Sequence, residues 1–432
     1  MKKHALNIIP AQLFALLFAP LASLQAAVRP LSDFQNLVHA ESWIENRPDA
    51  VGQSESRTVT AEVWTKAMQA VLDAQNTVHI PARAQPYYLD EPLVLKSGQK
   101  LTADPNAEIR LKPGCNTCMV RNEHIVGFAD QSVPADTKPD TDITIEGGIW
   151  TTLPTGDKAA NGNMRGASSK QNPVPGTHGV TLDRHGRDGV HVDGPASNGV
   201  IRHVSGDSYD DPVSLTTWDW WQYSVTFGPI HHLTIEDITG APDEKHGFDA
   251  IRLLPGVKRF SDCTTLDRPI SDITLRRITD IREFKLYDQP NLELGRDNDS
   301  SVGIGTLKNI RFEDLTFNRP GIIEVHANTD GLVIQTAKLN FPVAPDFHLL
   351  ALGPKSQTYK HGGPDAPDQW TEIFSPDLDC TVRNVTITGV RTRDSKTDLP
   401  IEQVVKVIEQ KLNPNYPKTA PRGGTAKGIW IR

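Results

Sequence analysis

Apolar and polar residues alternate in short bursts along most of this chain. Asp142-Ile-Thr-Ile145-Glu, Gly199-Val-Ile201-Arg, His232-Leu-Thr-Ile235-Glu, Asp272-Ile-Thr-Leu275-Arg, Asn309-Ile-Arg-Phe312-Glu, Gly331-Leu-Val-Ile334-Gln and Asn384-Val-Thr-Ile387-Thr are variants of one strand with one buried face. Their last apolar positions lie 56, 34, 40, 37, 22 and 53 residues apart. Helical repeats hold their lengths because packing fixes them, whereas a β-solenoid lets loops leave each coil sideways and tolerates drift. The pattern therefore predicts an all-β fold, a single-stranded right-handed parallel β-helix. The two longest intervals should hide a second coil or an insertion.

Other stretches break the two-residue rhythm. Over 60–74, Val63, Trp64, Ala67, Met68, Val71 and Leu72 make one apolar stripe at helical spacing, with Thr60 placed to cap it. That helix would cover the open end of the solenoid and its unpaired strand edges. Val78-His-Ile-Pro, Tyr87-Tyr-Leu, Leu93-Val-Leu and Ile109-Arg-Leu follow as short strands. Pro154–Thr177 and Lys355–Gln369 read as long loops, and Ile401–Leu412 as a C-terminal helix. The organisation expected is a leader at 1–26, an N-terminal segment with its capping helix at 27–85, the β-helix at 86–396, and a C-terminal helix and tail at 397–432.

A second repeat carries charge. Asp188-Gly-Val-His-Val, Asp211-Pro-Val-Ser-Leu and Asp249-Ala-Ile-Arg-Leu begin 23 and 38 residues apart, and Arg282-Glu-Phe-Lys285-Leu follows after 33 more. Stacked as coils about 4.8 Å apart, they form a column of three acids over Arg282. The next outward column holds His191, Ser214, Arg252 and Lys285. Stacked like charges repel unless function or counter-charge holds them, so this wall is the candidate active site. Asp210 doubles the acid at Asp211, and Trp218, Trp220, Trp221 and Tyr223 offer aromatic faces on which sugar rings stack.

Composition narrows the partners. A formal net charge of −8 over 432 residues supplies no basic field for nucleic acid. Met1-Lys-Lys-His leads into an apolar run from Ala11 to Leu24 and small residues at Ala26 and Ala27, the plan of a secretory signal peptide. The run is too short and interrupted to span a bilayer, so no membrane span is expected after its removal, and the protein should be secreted or periplasmic. Cys115, Cys118, Cys263 and Cys380 are read as a small structural disulfide or as free thiols. Oligomeric state leaves no mark in the sequence.

The chain resembles the pectin-lyase-like β-helix superfamily from Val78 through most of the coils. Its central part is similar to the polygalacturonase-like glycoside hydrolases of family 28. Arg187-Asp188-Gly189 matches part of that family's Asn-x-Asp-Gly, Asp210-Asp211 its double Asp, and Gly147-Gly148-Ile-Trp150 its glycine-rich strand end. The resemblance implies Asp211 as proton donor, with Asp188 and Asp210 holding the attacking water. Gly186 replaces the family's Asn, His191 stands where it has an acid, and Lys245-His246-Gly247 approximates its Gly-His-Gly.

The leading expectation is an exported inverting glycoside hydrolase acting on a polysaccharide or oligosaccharide. Asp188, Asp210 and Asp211 would do the chemistry, aided by Asp249 and His246. His191, Arg252, Arg282, Lys285 and the aromatic loop would bind substrate. No cofactor and no metal are expected on that reading. A lyase or uronate epimerase of the same fold would use a basic side chain and Ca²⁺ held by the acids. A glycan-binding solenoid would use only the tryptophans. A metal site from His185, Asp188, His191 and Asp193 is a further, weaker possibility.

Overall fold

The computed structural model describes residues 29–48, 54–115, 118–123, 140–152, 179–182, 189–206, 211–217, 228–240, 250–259, 265–287, 305–353, 357–360, 370–373 and 381–407. The expected leader, 1–26, lies outside the described residues. After a 3₁₀ turn at Leu31–Leu37 come a hairpin, β1 (His39–Pro48) and β2 (Ser54–Val63), and helix α1 (Thr65–Gln75). Seven short strands follow up to Glu146: β3 (Thr77–Ile80), β4 (Tyr87–Leu89), β5 (Leu93–Leu95), β6 (Lys100–Ala103), β7 (Glu108–Leu111), β8 (Val120–Asn122) and β9 (Thr144–Glu146). Beyond them lie β10 (Ile149–Thr152), β11 (Gly179–Leu182), β12 (Val190–Asp193), β13 (Ala196–Arg202), β14 (Val213–Thr216), β15 (Ile230–Glu236) and β16 (Ala250–Leu254). The middle of the chain adds β17 (Gly256–Arg259), β18 (Thr265–Arg268), β19 (Ile270–Thr279), β20 (Glu283–Tyr287), β21 (Thr306–Phe317) and β22 (Ile322–His326). The last strands are β23 (Asn328–Leu339), β24 (Leu350–Leu352), β25 (Gln357–Lys360), β26 (Trp370–Ile373), β27 (Val382–Thr392) and, after α2 (Ile401–Val404), β28 (Val405–Val407).

These elements build an all-β parallel solenoid. One sheet of ten strands runs β28-β24-β22-β20-β16-β14-β12-β11-β8-β5, and a sheet of six runs β13-β15-β19-β21-β23-β27. From β12 onward the chain alternates between them, one pass of each per coil. Every pair in both sheets is parallel except those of β11, which runs antiparallel to β12 and β8. Strand β11 lies just beyond the expected loop Pro154–Thr177. The core fills from the inward positions, with Ile201, Ile235, Leu275, Phe312, Ile334 and Ile387 in one register across the six-stranded sheet. Those are the anchors of the repeats read from the sequence.

The six-stranded sheet is bent twice. Asn198, His232, Asp272, Asn309, Gly331 and Asn384 share one level and all have positive φ, between 52° and 84°. His203, Asp237, Arg277, Asp314, Thr336 and Gly389 form a second level, with φ between 54° and 70°. Asn, Asp, His and Gly reach this left-handed region at least cost, so these side-chain types mark the corners of each coil. Arg277 and Thr336 are the residues forced into it.

Three sequence expectations change. Thr60 belongs to β2 rather than a helix cap, because Thr58–Val63 alternates and pairs with His39–Ile44. The helix starts at Thr65 behind Trp64, which makes no side-chain cap, and still buries Ala67, Met68, Val71 and Leu72. At the C-terminus the helix is a single turn, Ile401–Val404. The β-branched Val405-Lys-Val407 then adds a strand beside β24. The expected loop 355–369 contains β25, which pairs antiparallel with β26 just beyond it. Among the described residues no helix is long and apolar enough to cross a membrane.

Candidate active site

The outer face of the ten-stranded sheet carries the charge column. Inward positions on its strands are apolar: Val190 and Val192, Val213 and Leu215, Ile251 and Leu253, Phe284 and Leu286, Ile323 and Val325. The residue between each pair therefore points outward. Register places His191 opposite Ser214, Ser214 opposite Arg252, and Arg252 opposite Lys285. The file continues through Glu324, Ala351 and Lys406. The sequence column of His191, Ser214, Arg252 and Lys285 is thus one physical row.

Asp211 precedes β14 and is wholly buried. Its carboxylate reaches up two coils. Oδ1 accepts a hydrogen bond from Lys285 Nζ at 2.9 Å, and Oδ2 lies 3.0 Å from Arg252 Nε. Arg252 Nε also donates to Ser214 Oγ at 3.0 Å. Both cations are 12% exposed, so three charges share a nearly dry site. Burial pulls the Lys285 ammonium down, but the charges of Asp211 and Glu283 and the Asp211 hydrogen bond outweigh it. Lys285 titrates above its ordinary value.

Two smaller constellations flank this cluster. On one side Thr216 Oγ1 donates to Asp193, and His191 Nε2 lies 2.9 Å from Thr216 Oγ1 and 3.2 Å from Asp193 Oδ1. On the other side His326 Nδ1 donates to the Gly353 carbonyl, which turns Nε2 toward Glu324 Oε1 at 3.9 Å. Sequence reasoning missed Glu283, Glu324 and His326. The signal was present, since Ile322-Ile-Glu-Val-His repeats the apolar–polar alternation but opens on Gly321 instead of an Asp.

The predicted acids divide. Asp211 is in the site, but as an enclosed ion-pair partner whose two oxygens both face cations, not as a carboxyl open to a substrate. Asp188, Asp210, Asp249 and His246 lie outside the described residues, as do Trp218, Trp220, Trp221, Tyr223 and His185. Gly189 joins the amide of Asp188's neighbour to the wall: its N–H donates to the Asp211 carbonyl at 2.8 Å. A Cβ there would sit 2.7 Å from the Pro212 carbonyl oxygen, so the close approach of coils requires glycine. Arg282 sits immediately before β20 and is half-buried.

For metals, His191 and Asp193 do come together, and no group of three or more His, Cys, Asp or Glu side chains converges among the described residues. Cys115 is a free thiol, and burial pushes its titration up.

Comparison with known proteins adds little. No protein-family model matches the sequence, and no curated protein does. Among solved structures, the polygalacturonase from Erwinia carotovora ssp. carotovora is similar over 80% of this chain and 94% of its own, at 13% identity and a TM-score of 0.36. A likeness that distant carries no residue roles. The fold rests on the parallel ladders of the chain itself.

Proposed function

We propose that this protein is an exported polysaccharide-active enzyme, an inverting glycoside hydrolase working on the outer face of the ten-stranded sheet. One observation carries the reading: a carboxylate and two cations are buried together on the outward side of the wall. Removing ions from water costs several kcal/mol each, about as much as a whole mutational effect, and a scaffold gains nothing from it that apolar residues would not supply.

Inverting hydrolysis needs a carboxylic acid to protonate the glycosidic oxygen and a carboxylate to deprotonate water on the opposite face of the ring. With both oxygens turned to cations, Asp211 orients Arg252 and Lys285. Asp188 and Asp210 are then the acid and base, with Asp249 and His246 assisting and the Trp218–Tyr223 segment as a sugar platform. The raised titration of Lys285 keeps it charged at neutral pH. That suits it to gripping substrate and unsuits it to the proton abstraction a lyase requires.

The test is a panel of acidic and neutral polysaccharides assayed for reducing ends and for unsaturated product, with and without EDTA. New reducing ends, unaffected by EDTA, are expected, and Asp188→Asn and Asp210→Asn should each lower turnover by about 10²–10⁴-fold. Unsaturated product lost with EDTA would assign a Ca²⁺-dependent lyase instead. Binding without turnover, retained in both variants, would leave a glycan-binding module.

A further inference from the structure

The first left-handed corner of the six-stranded sheet opens a two-residue slot in each strand. In a plain strand, residues three apart point to opposite faces. Here Ile230 and Leu233, Ile270 and Ile273, Leu307 and Ile310, and Val382 and Val385 are all inward and buried, because the left-handed residue within each pair turns the chain. Both residues of a slot therefore face outward. In chain order the slots hold Ser197-Asn198, His231-His232, Ser271-Asp272, Lys308-Asn309, Asp330-Gly331 and Arg383-Asn384, stacked in register.

Elsewhere the slots tie neighbouring coils together. Asn309 Nδ2 donates to Asp272 Oδ1 at 2.8 Å, and Asn384 Nδ2 to Asp330 Oδ1 at 2.6 Å. His231 and His232 bond to each other instead, Nδ1 to Nδ1 at 2.8 Å, with their ring planes 86° apart. With both rings neutral, one carries its proton on Nδ1 and donates it to the bare Nδ1 of the other. At a metal–imidazole distance of about 2.0–2.1 Å, a right-angled bite separates two nitrogens by about 2.9 Å and a tetrahedral one by about 3.4 Å. The observed 2.8 Å matches the right angle, which is the angle of square-planar and tetragonal Cu²⁺ and Ni²⁺ sites. Asp272 stands level with His232 one coil on. The hydrogen bond from Asn309 lowers its titration, and the nearby histidines add to the effect, so a carboxylate charge lies beside an incoming cation.

We infer that His231 and His232 chelate a divalent transition metal through their two Nδ1 atoms, with Cu²⁺ preferred. Binding moves the shared proton to Nε2 of the ring that carried it, so both rings ligate as neutral imidazoles. Copper leads because affinities for nitrogen sites peak there and because the bite is right-angled. No third His, Cys, Asp or Glu converges on the pair among the described residues, so water completes the coordination. The site belongs to the six-stranded sheet, and nothing in it rests on reading the ten-stranded face as a glycan site.

The experiment titrates the full-length protein with CuCl₂ and, separately, with ZnCl₂, by equilibrium dialysis and calorimetry, with pulsed electron paramagnetic resonance on the Cu²⁺ form. The variants copy neighbouring coils, His231→Ser after Ser197 and Ser271, and His232→Asn after Asn198, so each places a residue the corner already accepts. The wild type should bind Cu²⁺ about tenfold or more tighter than Zn²⁺ and show coupling to two imidazole nitrogens. Each variant should hold one Cu²⁺ fewer per chain at the same free concentration, because the remaining imidazole binds about 100-fold more weakly without its partner. Either variant holding as many Cu²⁺ ions as the wild type overturns the inference. Tighter binding of Zn²⁺ than of Cu²⁺ overturns the right-angled copper site.

Discussion

The two large sheets of this solenoid treat charge in opposite ways. On the six-stranded sheet, acids and bases from neighbouring coils pair at the surface: Arg383 with Asp330, and Arg277 with Asp237. Arg391 with Asp398 adds a pair between the last strand and the loop after it. These side chains keep a quarter or more of their surface in water; Glu236, 10% exposed, is the exception, and its partners Arg276 and Arg277 are both nearly half exposed. On the ten-stranded sheet, Asp211, Arg252 and Lys285 make the same kind of contacts almost wholly out of water. Exposed ladders of alternating sign help to stack coils at little cost. Buried ions cost much more and are retained where something other than stacking needs them. The contrast sets the proposed site apart from the rest of the wall on burial alone.

Breaking the buried cluster should have the largest effect. Asp211→Ala leaves two cations buried without their counter-charge, and a loss of about 3–5 kcal/mol is expected in chemical denaturation. Asp330→Ala, the matched change on the other sheet, removes partners of Arg383 and Asn384 in an exposed place. It should cost no more than about 1 kcal/mol. Equal losses from the two variants would erase the distinction between the sheets.

The pH dependences should also point in opposite directions. Because Lys285 titrates above the ordinary lysine value of 10.5, its stabilisation is complete below that pH. It is lost only as pH rises through the raised value, so Lys285→Met should flatten the alkaline limb of a stability-against-pH curve. Asp330 is held below the ordinary value of 3.8 by its hydrogen bonds with Asn384 and Arg383. Its contribution is present above 3.8 and disappears as pH falls through the lowered value, and Asp330→Asn should flatten the acid limb. The smallest effect belongs to the corner ladder. Thr336 is β-branched and left-handed at φ 67°, so Thr336→Asn should raise stability by about 0.5–1 kcal/mol in the same denaturation assay.

Much of this architecture is legible in the sequence, for identifiable reasons. Two-residue alternation fixes which face of a strand is buried, and once Val190, Val213, Ile251 and Phe284 are inward, His191, Ser214, Arg252 and Lys285 must share a row. The residues opening the repeats, such as Asp272, Asn309 and Gly331, are small or polar because they turn corners in the left-handed region. Side-chain reach is a different matter. A column of aspartates drawn at strand spacing does not reveal that Asp211 bends across two coils to sit under Arg252 and Lys285. Glu324 escaped notice because its strand follows Gly321, so a motif anchored on a leading Asp passes over it. The misplacement of the first helix has a similar origin: Val63 and Trp64 fit the helical stripe, yet they end a strand whose partner, His39–Ile44, lies well upstream.

On this reading Asp211, Arg252 and Lys285 are held in the wall for function and not for folding. The most direct test replaces all three at once by apolar residues of similar volume, Asp211→Leu, Arg252→Met and Lys285→Met, and measures both unfolding free energy and turnover on whichever polysaccharide the wild type degrades. Buried ionic clusters replaced in this way are often neutral or stabilising by about 1–4 kcal/mol. The prediction is a protein at least as stable as the wild type that no longer turns over its substrate. A variant that keeps its turnover, or one that loses its stability through the loss of the cluster, would contradict the account.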